Sequence, residues 1–401
     1  MVQKANEHTL MTKEQIREYI GEHFPLFNSG ADVDVREIGD GNINYVFRVI
    51  KTNQQESLVV KQADKLLRSS GRPLDIDRNK IEAEVLNIQY KLVPEYVPEV
   101  LLYDEKMAVM VMEDISIYEN LRYALLAKKV FPKLAQQISQ FLVQTLGNTN
   151  DVVMDKRQKK AYVKQFINSD MCDISEDLVF TEPYNDYKKR NVITCGNEEF
   201  VQSHLYDNHE LIAEVAKLRE QFMNHAQALI HGDLHSGSIF VTQEGMKVID
   251  PEFAFYGPMG YDIGNVLAHL FLSLVGNGSN EEDDKFDMWV LETISFIFDH
   301  VSSGLKQLIF DQTRVSLYKT EEFINYYVDQ VMVDALGYTG TEIIRRVVGD
   351  SKVKELVDIK QGPQKVKIEQ KIIQLATELI MNRQQITKGN QLIKIYKDIY
   401  S

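Results

Sequence analysis

Cysteine and positive charge are both scarce in this sequence, and each shortage excludes a class of protein. The two cysteines, Cys172 and Cys195, show neither CxxC nor metal-ligand spacing, so we expect free thiols in a reducing compartment. The 45 basic side chains are outnumbered by 59 acidic ones, which gives a net charge of −14. Such a surface repels nucleic acid and anionic lipid. We therefore expect neither nucleic acid nor a membrane as a partner.

The sequence also lacks long hydrophobic runs and internal repeats. Its longest apolar run, residues 266–275, is interrupted by His269 and is too short to cross a bilayer. The first residues show no basic-then-apolar leader pattern. These features predict a cytoplasmic protein. With 401 residues, the chain is long enough for two packed units.

The stretch from 229 to 258 holds an unusual concentration of acidic residues beside apolar ones. Two short apolar runs, Ser238–Thr242 and Met246–Ile249, flank a turn that contains Gly245, which predicts a β-hairpin. A hairpin of this length brings its two ends together. The acids that precede and follow it are therefore expected to converge.

These acids are Asp233, before the hairpin, and Asp250 and Glu252, after it. Three close carboxylates are costly unless a cation neutralises them or one is protonated. Mg²⁺ prefers one or two carboxylates together with substrate phosphates. We interpret the set as a phosphoryl-transfer site in which Asp233 accepts the proton of the attacking hydroxyl and the other two hold the metal. The alternative is an acidic hairpin with solvated carboxylates, which the apolar neighbours disfavour.

Residues 231–238 read His-Gly-Asp-Leu-His-Ser-Gly-Ser, and residues 250–258 read Asp-Pro-Glu-Phe-Ala-Phe-Tyr-Gly-Pro. This compound motif resembles that of the methylthioribose kinases, among the kinase-like small-molecule phosphotransferases that include aminoglycoside and choline kinases. Two departures from the wider group are Ser238, where most members have Asn, and Asp-Pro-Glu, where they have Asp-Phe-Gly. A third departure, from the methylthioribose kinases, is Arg72, at a loop position where a Trp is usual; the one tryptophan here is Trp289.

The resemblance implies an α+β, bilobal protein-kinase-like fold. Residues 1–114 would form an antiparallel-sheet N-lobe with the ATP site, and residues 115–401 a mainly helical C-lobe. It also implies ATP and Mg²⁺ as cofactors and a homodimer. The implied reaction is phosphorylation of the anomeric hydroxyl of 5-methylthioribose, a small-molecule sugar, to 5-methylthioribose 1-phosphate in methionine salvage.

Residues that would bind ATP occur along the first third of the chain. The loop with Gly39, Gly41 and Asn44 lies between two alternating runs and is either a plain hairpin loop or a phosphate-binding loop. The resemblance implies that Asn44 touches ATP. Lys61, inside an apolar strand, needs an anionic partner unless it points to water from an edge strand.

The resemblance implies that Lys61 binds the α- and β-phosphates of ATP and pairs with a glutamate on the following helix. Both Glu82 and Glu84 are candidates, and the family pattern favours Glu82. The resemblance further assigns Glu113, Asp114 and Ile115 to adenine, chiefly through their backbone groups. It places Pro251 at the nucleotide site, between the two metal-binding acids.

Two adjacent arginines, Arg345 and Arg346, are candidate substrate residues. Neighbouring helix positions point in different directions, so we expect only one of them to face the site. The alternative is a surface basic pair that makes salt bridges. The resemblance implies that arginine contacts sugar hydroxyls. We also expect Asp262 to cap a helix, with pairing to His231 and the catalytic loop as the alternative.

Two other functions remain open at this point. One is another kinase of the same fold, of the aminoglycoside, choline or homoserine type, which a panel of acceptors would distinguish. The other is a non-catalytic nucleotide-binding pseudokinase, which Ser238 suggests. The presence of Lys61, Asp233 and Asp250 argues against a pseudokinase, and measurable ATP turnover would exclude it.

Overall fold

The computed structural model describes residues 8–28, 32–38, 44–52, 56–66, 73–276 and 281–400. The chain divides into two compact units. The sheet unit comprises residues 1–117 and 247–252, and the helical unit comprises residues 118–246 and 253–401. None of the helices in the described ranges is both long and apolar enough to cross a membrane.

An antiparallel sheet with the strand order β1-β2-β3-β5-β4 forms the centre of the sheet unit. Side chains alternate between the two faces of β3, so Leu58 and Val60 enter the core beneath α1 while Lys61 faces α2. The elements of this unit are α1 (Lys13–His23), β1 (Val33–Glu37), β2 (Tyr45–Lys51), β3 (Glu56–Gln62), α2 (Asp77–Leu92), β4 (Val100–Asp104) and β5 (Val109–Glu113).

The short segment 247–252 is distant in sequence from the rest of the sheet unit but is bonded firmly to it. The backbone N–H of Val248 donates to the carbonyl of Tyr96 at 2.7 Å. The Lys247 ammonium donates to the carbonyl of Val97 at 2.8 Å and to Glu113 at 3.2 Å. These bonds fix the backbone that carries the two acids at 250 and 252.

The helical unit is built around the long helix α12 and its neighbour α10. A Cβ added at Gly260 or Gly264 of α10 would lie 2.7 Å from the backbone of Ala335 in α12, so glycine permits this close approach. Preceding these helices in the unit are β6 (Glu119–Asn120), α3 (Leu121–Leu126), α4 (Leu134–Thr149), α5 (Lys156–Gln165), α6 (Ser169–Phe180), α7 (Glu182–Asn185), α8 (Glu198–Val201), α9 (His209–Asn224), β7 (Ala228–Ile230) and β8 (Ile239–Val241).

The later elements complete the chain. They are β9 (Met246–Val248), which lies at the boundary of the two units, followed by β10 (Phe255–Gly257), α10 (Met259–Leu272), α11 (Glu281–Gln312), α12 (Glu321–Val348), α13 (Lys354–Val357), α14 (Pro363–Met381) and α15 (Gly389–Tyr400). The predicted α+β class, an antiparallel sheet followed by a mainly helical remainder, is confirmed. The turn of the predicted hairpin is closed by a bond from the N–H of Thr242 to the carbonyl of Gly245 at 2.8 Å.

Candidate active site

Lys61 lies at the centre of a buried charge cluster in the sheet unit. Its ammonium donates to Glu82 at 2.8 Å and also to Asp250. Burial alone would lower the pKa of Lys61, but the charges of Asp250 and Glu82 outweigh burial and raise it. Lys61 is therefore held in its charged form. Of the two predicted glutamate partners, the structure selects Glu82.

Glu252 is held by a second set of partners in the same unit. Its carboxylate accepts a hydrogen bond from the Asn44 amide at 2.8 Å and lies 3.6 Å from Nε of Arg78. Arg78 also donates to the Asn44 side-chain oxygen at 3.1 Å, so the three side chains form a closed ring. All three are buried. Sequence reasoning missed Arg78, although its place one helical turn before Glu82 puts both on one face of α2.

The acids of this cluster fit a divalent cation. Glu82, Asp250 and Glu252 each offer an oxygen, and these oxygens lie within 4.8 Å of one another. No other such group occurs among the residues that the structure describes. With every carboxylate ionised, three negative charges would face two positive ones, those of Lys61 and Arg78. Burial, together with the neighbouring carboxylates, raises the pKa of Glu82 to about 8 and also raises the pKa of Glu252.

The strained backbone at Asp250 belongs to the same cluster. This residue has φ +74°, a conformation uncommon outside glycine that Asp and Asn tolerate best. Strain of this kind concentrates at functional sites. Pro251 is buried between the two acids. The convergence of Asp233 with Asp250 and Glu252 stays a prediction.

The residues assigned to adenine begin at the last residue of β5. The side chains of Glu113 and Asp114 are engaged within the sheet unit, the first with Lys247 and the second with Arg48. Ile115 is buried. This engagement agrees with a role for the backbone rather than the side chains. Gly39, Gly41 and Arg72 lie outside the described residues.

In the helical unit, Asp233 lies on the loop between β7 and β8. Asp262 anchors this loop by accepting the backbone N–H groups of His231 at 2.7 Å and of Gly232 at 3.0 Å. Gly232 has φ +81°, and a Cβ there would lie 2.2 Å from the carbonyl oxygen of Phe253. The expected helix-capping role of Asp262 is wrong. The N-cap of α10 is Pro258, and Asp262 lies inside the helix, where its carboxylate is used by the loop instead.

His235 presents a proton to Asp233. Its Nδ1 accepts the N–H groups of Gly237 at 3.0 Å and Ser238 at 3.1 Å, which leaves Nε2 as the protonated nitrogen. That nitrogen lies 3.4 Å from Oδ2 of Asp233. Burial lowers the pKa of His235 to about 4, so the ring is neutral at pH 7. The Ser238 hydroxyl donates to the Asp233 carbonyl at 3.1 Å and so helps to hold the loop.

Two arginines on α12 face the other oxygen of Asp233. Nη2 of Arg345 lies 3.6 Å and Nη2 of Arg346 lies 3.9 Å from Oδ1. The expectation that only one of the two faces the site is wrong. Both guanidinium groups bend towards Glu342, one helical turn earlier, whose oxygens lie 2.5 Å from Nε of Arg345 and 2.7 Å from Nε of Arg346.

These surroundings determine the charge of Asp233. Burial alone would raise its pKa, but His235, Arg345 and Arg346 outweigh burial and hold the pKa below its usual range. The carboxylate is therefore ionised at neutral pH. Its side chain retains 26% of its exposure, so it can still meet a small molecule. An ionised carboxylate surrounded by donors is suited to binding and orienting a hydroxyl group.

The fold and these two charge clusters define a phosphotransferase. The model of the family described as "Phosphotransferase enzyme family" matches residues 34–278. Methylthioribose kinases of Geobacillus sp. (strain WCH70) and Erwinia tasmaniensis are 35% and 36% identical to this chain. The alignments cover 92% of the chain and 92% of the first relative, and 94% of the chain and 95% of the second. The chain belongs to the methylthioribose kinase family.

Solved structures support the fold. A choline kinase from Cryptosporidium parvum superposes with a TM-score of 0.51 at 14% identity. The superposition covers 97% of this chain and 96% of that one. The kinase-like fold that the sequence predicted is thus confirmed. As a member of a kinase family, the protein uses ATP.

Proposed function

We propose that this enzyme transfers the γ-phosphoryl group of ATP to the anomeric hydroxyl of 5-methylthioribose. The product is 5-methylthioribose 1-phosphate, an intermediate of methionine salvage. The observation that carries this assignment is the Asp233 carboxylate, ionised and partly exposed, with two guanidinium groups beside it. Family membership supports the same acceptor, since the relatives are named methylthioribose kinases.

Asp233 is the proposed catalytic residue of the helical unit. Its carboxylate accepts a hydrogen bond from the sugar hydroxyl, directs the attacking oxygen and receives its proton. A low pKa is compatible with this role, because the transition state of phosphoryl transfer is loose and catalysis depends mainly on positioning. The Nε2–H of His235 holds one carboxylate oxygen in place.

The sheet unit supplies the proposed nucleotide residues. Lys61 would pair with the phosphates, while Glu82 keeps its ammonium in place. Asn44, with Gly39 and Gly41, would contact the nucleotide, and the backbone of residues 113–115 would bind adenine. Asp250 and Glu252 would hold Mg²⁺, which when bound neutralises phosphate charge. The crowding of these three carboxylates, which the raised pKa values of Glu82 and Glu252 reflect and which a cation would relieve, supports this metal assignment.

The charge around Asp233 favours a sugar over a cationic acceptor. Arg345 and Arg346 offer several fixed donors to hydroxyl groups. With the ionised Asp233 and Glu342 beside them, these arginines form a charge-balanced, donor-rich site that suits a neutral sugar better than the ammonium group of choline or an aminoglycoside. A pseudokinase is disfavoured, because Lys61 has its glutamate partner and Asp233 is ionised.

An ADP-release assay with a panel of acceptors tests this function. Purified enzyme with ATP and Mg²⁺ is given methylthioribose, ribose, choline or kanamycin in separate reactions. We expect the highest specificity constant with methylthioribose, weaker use of ribose and none of choline or kanamycin. A higher specificity constant with choline or kanamycin would overturn the substrate assignment. Absence of ADP release with every acceptor would support a pseudokinase.

Three further proposals concern the protein as a whole. Two of them, a homodimer and a division of the chain into functional lobes at residues 114 and 115, come from the family resemblance alone, whereas the third, a cytoplasmic location, comes from the scarcity of cysteine and of long apolar runs. Light scattering of the purified protein tests the first, since a dimer has twice the 46.3 kDa mass of the chain. A mass equal to that of a single chain would contradict it.

A further inference from the structure

A buried chain of hydrogen bonds joins the catalytic loop to the paired arginines. The hydroxyl of Ser236, three residues after Asp233, lies 3.2 Å from Nδ1 of His269 on α10. The other ring nitrogen, Nε2, lies 3.1 Å from Oε1 of Glu342 on α12. The side chain is 1% exposed for both His269 and Glu342. Three elements of the helical unit are thus connected by one histidine ring.

The direction of each bond follows from the chemistry of the groups. The structure places two arginines against Glu342, and they hold its pKa well below the usual value, so this carboxylate can only accept. His269 therefore carries its proton on Nε2 and donates to Glu342. Its Nδ1 is then an acceptor, and the hydroxyl of Ser236 donates to it. Burial lowers the pKa of His269 to about 3, so the ring keeps this neutral form at working pH.

The bond from His269 is one of four hydrogen bonds that hold the Glu342 carboxylate. Oε1 receives the Nε2–H of His269 and Nε–H of Arg346, while Oε2 lies 2.5 Å from Nε of Arg345. Within the described part of the chain, the other hydrogen bonds to this carboxylate come from the two guanidinium groups that it positions. Those groups also face Asp233, so a rotation of Glu342 would move them away from the reacting hydroxyl.

We propose that His269 is a positioning residue for the transfer reaction. It fixes Glu342, and through Glu342 the two arginines, while Ser236 ties this arrangement to the loop that carries Asp233. The inference rests on the proposed function, because it treats the arginines as substrate residues. His269 contacts Ser236 on the loop and Glu342 on α12, so it acts on the reacting groups through these two neighbours.

Variants at these two positions separate positioning from general stability. In His269→Gln, the side-chain amide retains a donor in place of Nε2, whereas His269→Leu removes it. Ser236→Ala removes only the link to the loop. Ser273→Ala is the matched control, since Ser273 directly follows α10 and the variant deletes a buried hydroxyl that donates to the carbonyl of Leu270.

The measured quantities are the KM for methylthioribose, kcat and the ATP dissociation constant, with the melting temperature of each variant. We expect His269→Leu to raise the sugar KM about tenfold or more, with ATP affinity unchanged. His269→Gln should restore the KM to within about threefold of the natural enzyme, and Ser236→Ala should raise it about threefold. In the double variant, Ser236→Ala should add nothing to His269→Leu, because the two act through one chain. The control should leave all three constants unchanged.

A sugar KM unchanged in both His269→Leu and Ser236→Ala overturns the inference. Equal losses in His269→Leu and His269→Gln, or a parallel loss of ATP affinity, also overturn it, since they indicate general damage. If His269→Leu does not fold, Ser236→Ala and His269→Gln carry the test. Failure of the proposed function is distinguishable, because the natural enzyme itself would then not use methylthioribose.

Discussion

Nη2 of Arg345 lies 3.6 Å from Oδ1 of Asp233, close enough for an ion pair but too long for a direct hydrogen bond. The arginine therefore stabilises the carboxylate charge without occupying the oxygen at hydrogen-bonding distance. A substrate hydroxyl can be held by both groups, as donor to the aspartate and acceptor from the guanidinium. This relationship places α12 beside the proposed catalytic carboxylate.

Replacing Asp233 should abolish catalysis and preserve nucleotide binding. In Asp233→Asn the side chain keeps its shape but loses the negative charge and the ability to receive the proton. Titration calorimetry with ATP and Mg²⁺, alongside steady-state kinetics, measures both effects. Turnover close to that of the natural enzyme would refute the catalytic assignment.

Both arginines should matter for sugar use. Because both guanidinium groups face Asp233 and Glu342, Arg345→Ala and Arg346→Ala should each cost about 1–3 kcal/mol in the specificity constant for methylthioribose, through loss of a charged donor. The ATP dissociation constant should not change. Arg36→Ala, which removes an exposed arginine paired with Asp34, is the matched control. If both arginine variants keep the specificity constant of the natural enzyme for methylthioribose, the arginines do not belong to the acceptor site.

Sequence reasoning identified the candidate site residues that can be recognised from short local motifs. Asp233, Asp250 and Glu252 stand beside hairpin strands, and Lys61 stands in an apolar run. The α+β class followed from the family resemblance that the compound motif carries. These are local signals, and a local reading is sufficient to find them.

The missed contacts depend on tertiary packing. The ring of Arg78 with Glu252 and the chain through His269 join residues distant in sequence. Asp262 was assigned by a local capping rule, but its carboxylate is bonded to a loop about 30 residues earlier. The role of Glu342 could have been recognised from the sequence, because it lies three positions before Arg345 and four before Arg346. Helix side chains at these spacings contact one another.

The carboxylates at 250 and 252 should govern the Mg²⁺ requirement. Asp250→Asn and Glu252→Gln each remove a candidate carboxylate ligand from the acidic cluster, so the Mg²⁺ concentration for half-maximal activity should rise. Glu105→Gln, which removes an exposed partner of Lys80, is the control. If the magnesium titration of Glu252→Gln is unchanged, this acid serves only to hold Asn44 and Arg78.

Two buried histidines should contribute a loss of stability as the pH is lowered from about 6.5 towards 4. Burial depresses the folded-state pKa of His235 to about 4 and of His269 to about 3, below the ordinary 6.5, so in this window the unfolded chain binds more protons. The free energy of unfolding then rises with pH by up to about 1.4 kcal/mol per unit for each histidine. His269→Gln removes one of these groups.

Denaturant unfolding at pH 4.5, 5.5, 6.5 and 7.5 measures this dependence. Other carboxylates titrate in the same range, so the informative quantity is the difference between the natural enzyme and His269→Gln. The variant should show a shallower slope between pH 4.5 and 6.5 and the same slope above 7. If the natural enzyme and His269→Gln show the same slope at every pH, folding does not lower the pKa of His269.

The most direct test is to identify the product. Methylthioribose is incubated with the enzyme, ATP and Mg²⁺, and the sugar is examined by proton–phosphorus correlation NMR. Transfer to the hydroxyl held at Asp233 predicts that the new phosphorus signal couples to the anomeric proton and is absent with Asp233→Asn. Coupling to a proton at another carbon, or no phosphorylated sugar from the natural enzyme, would contradict the proposed reaction.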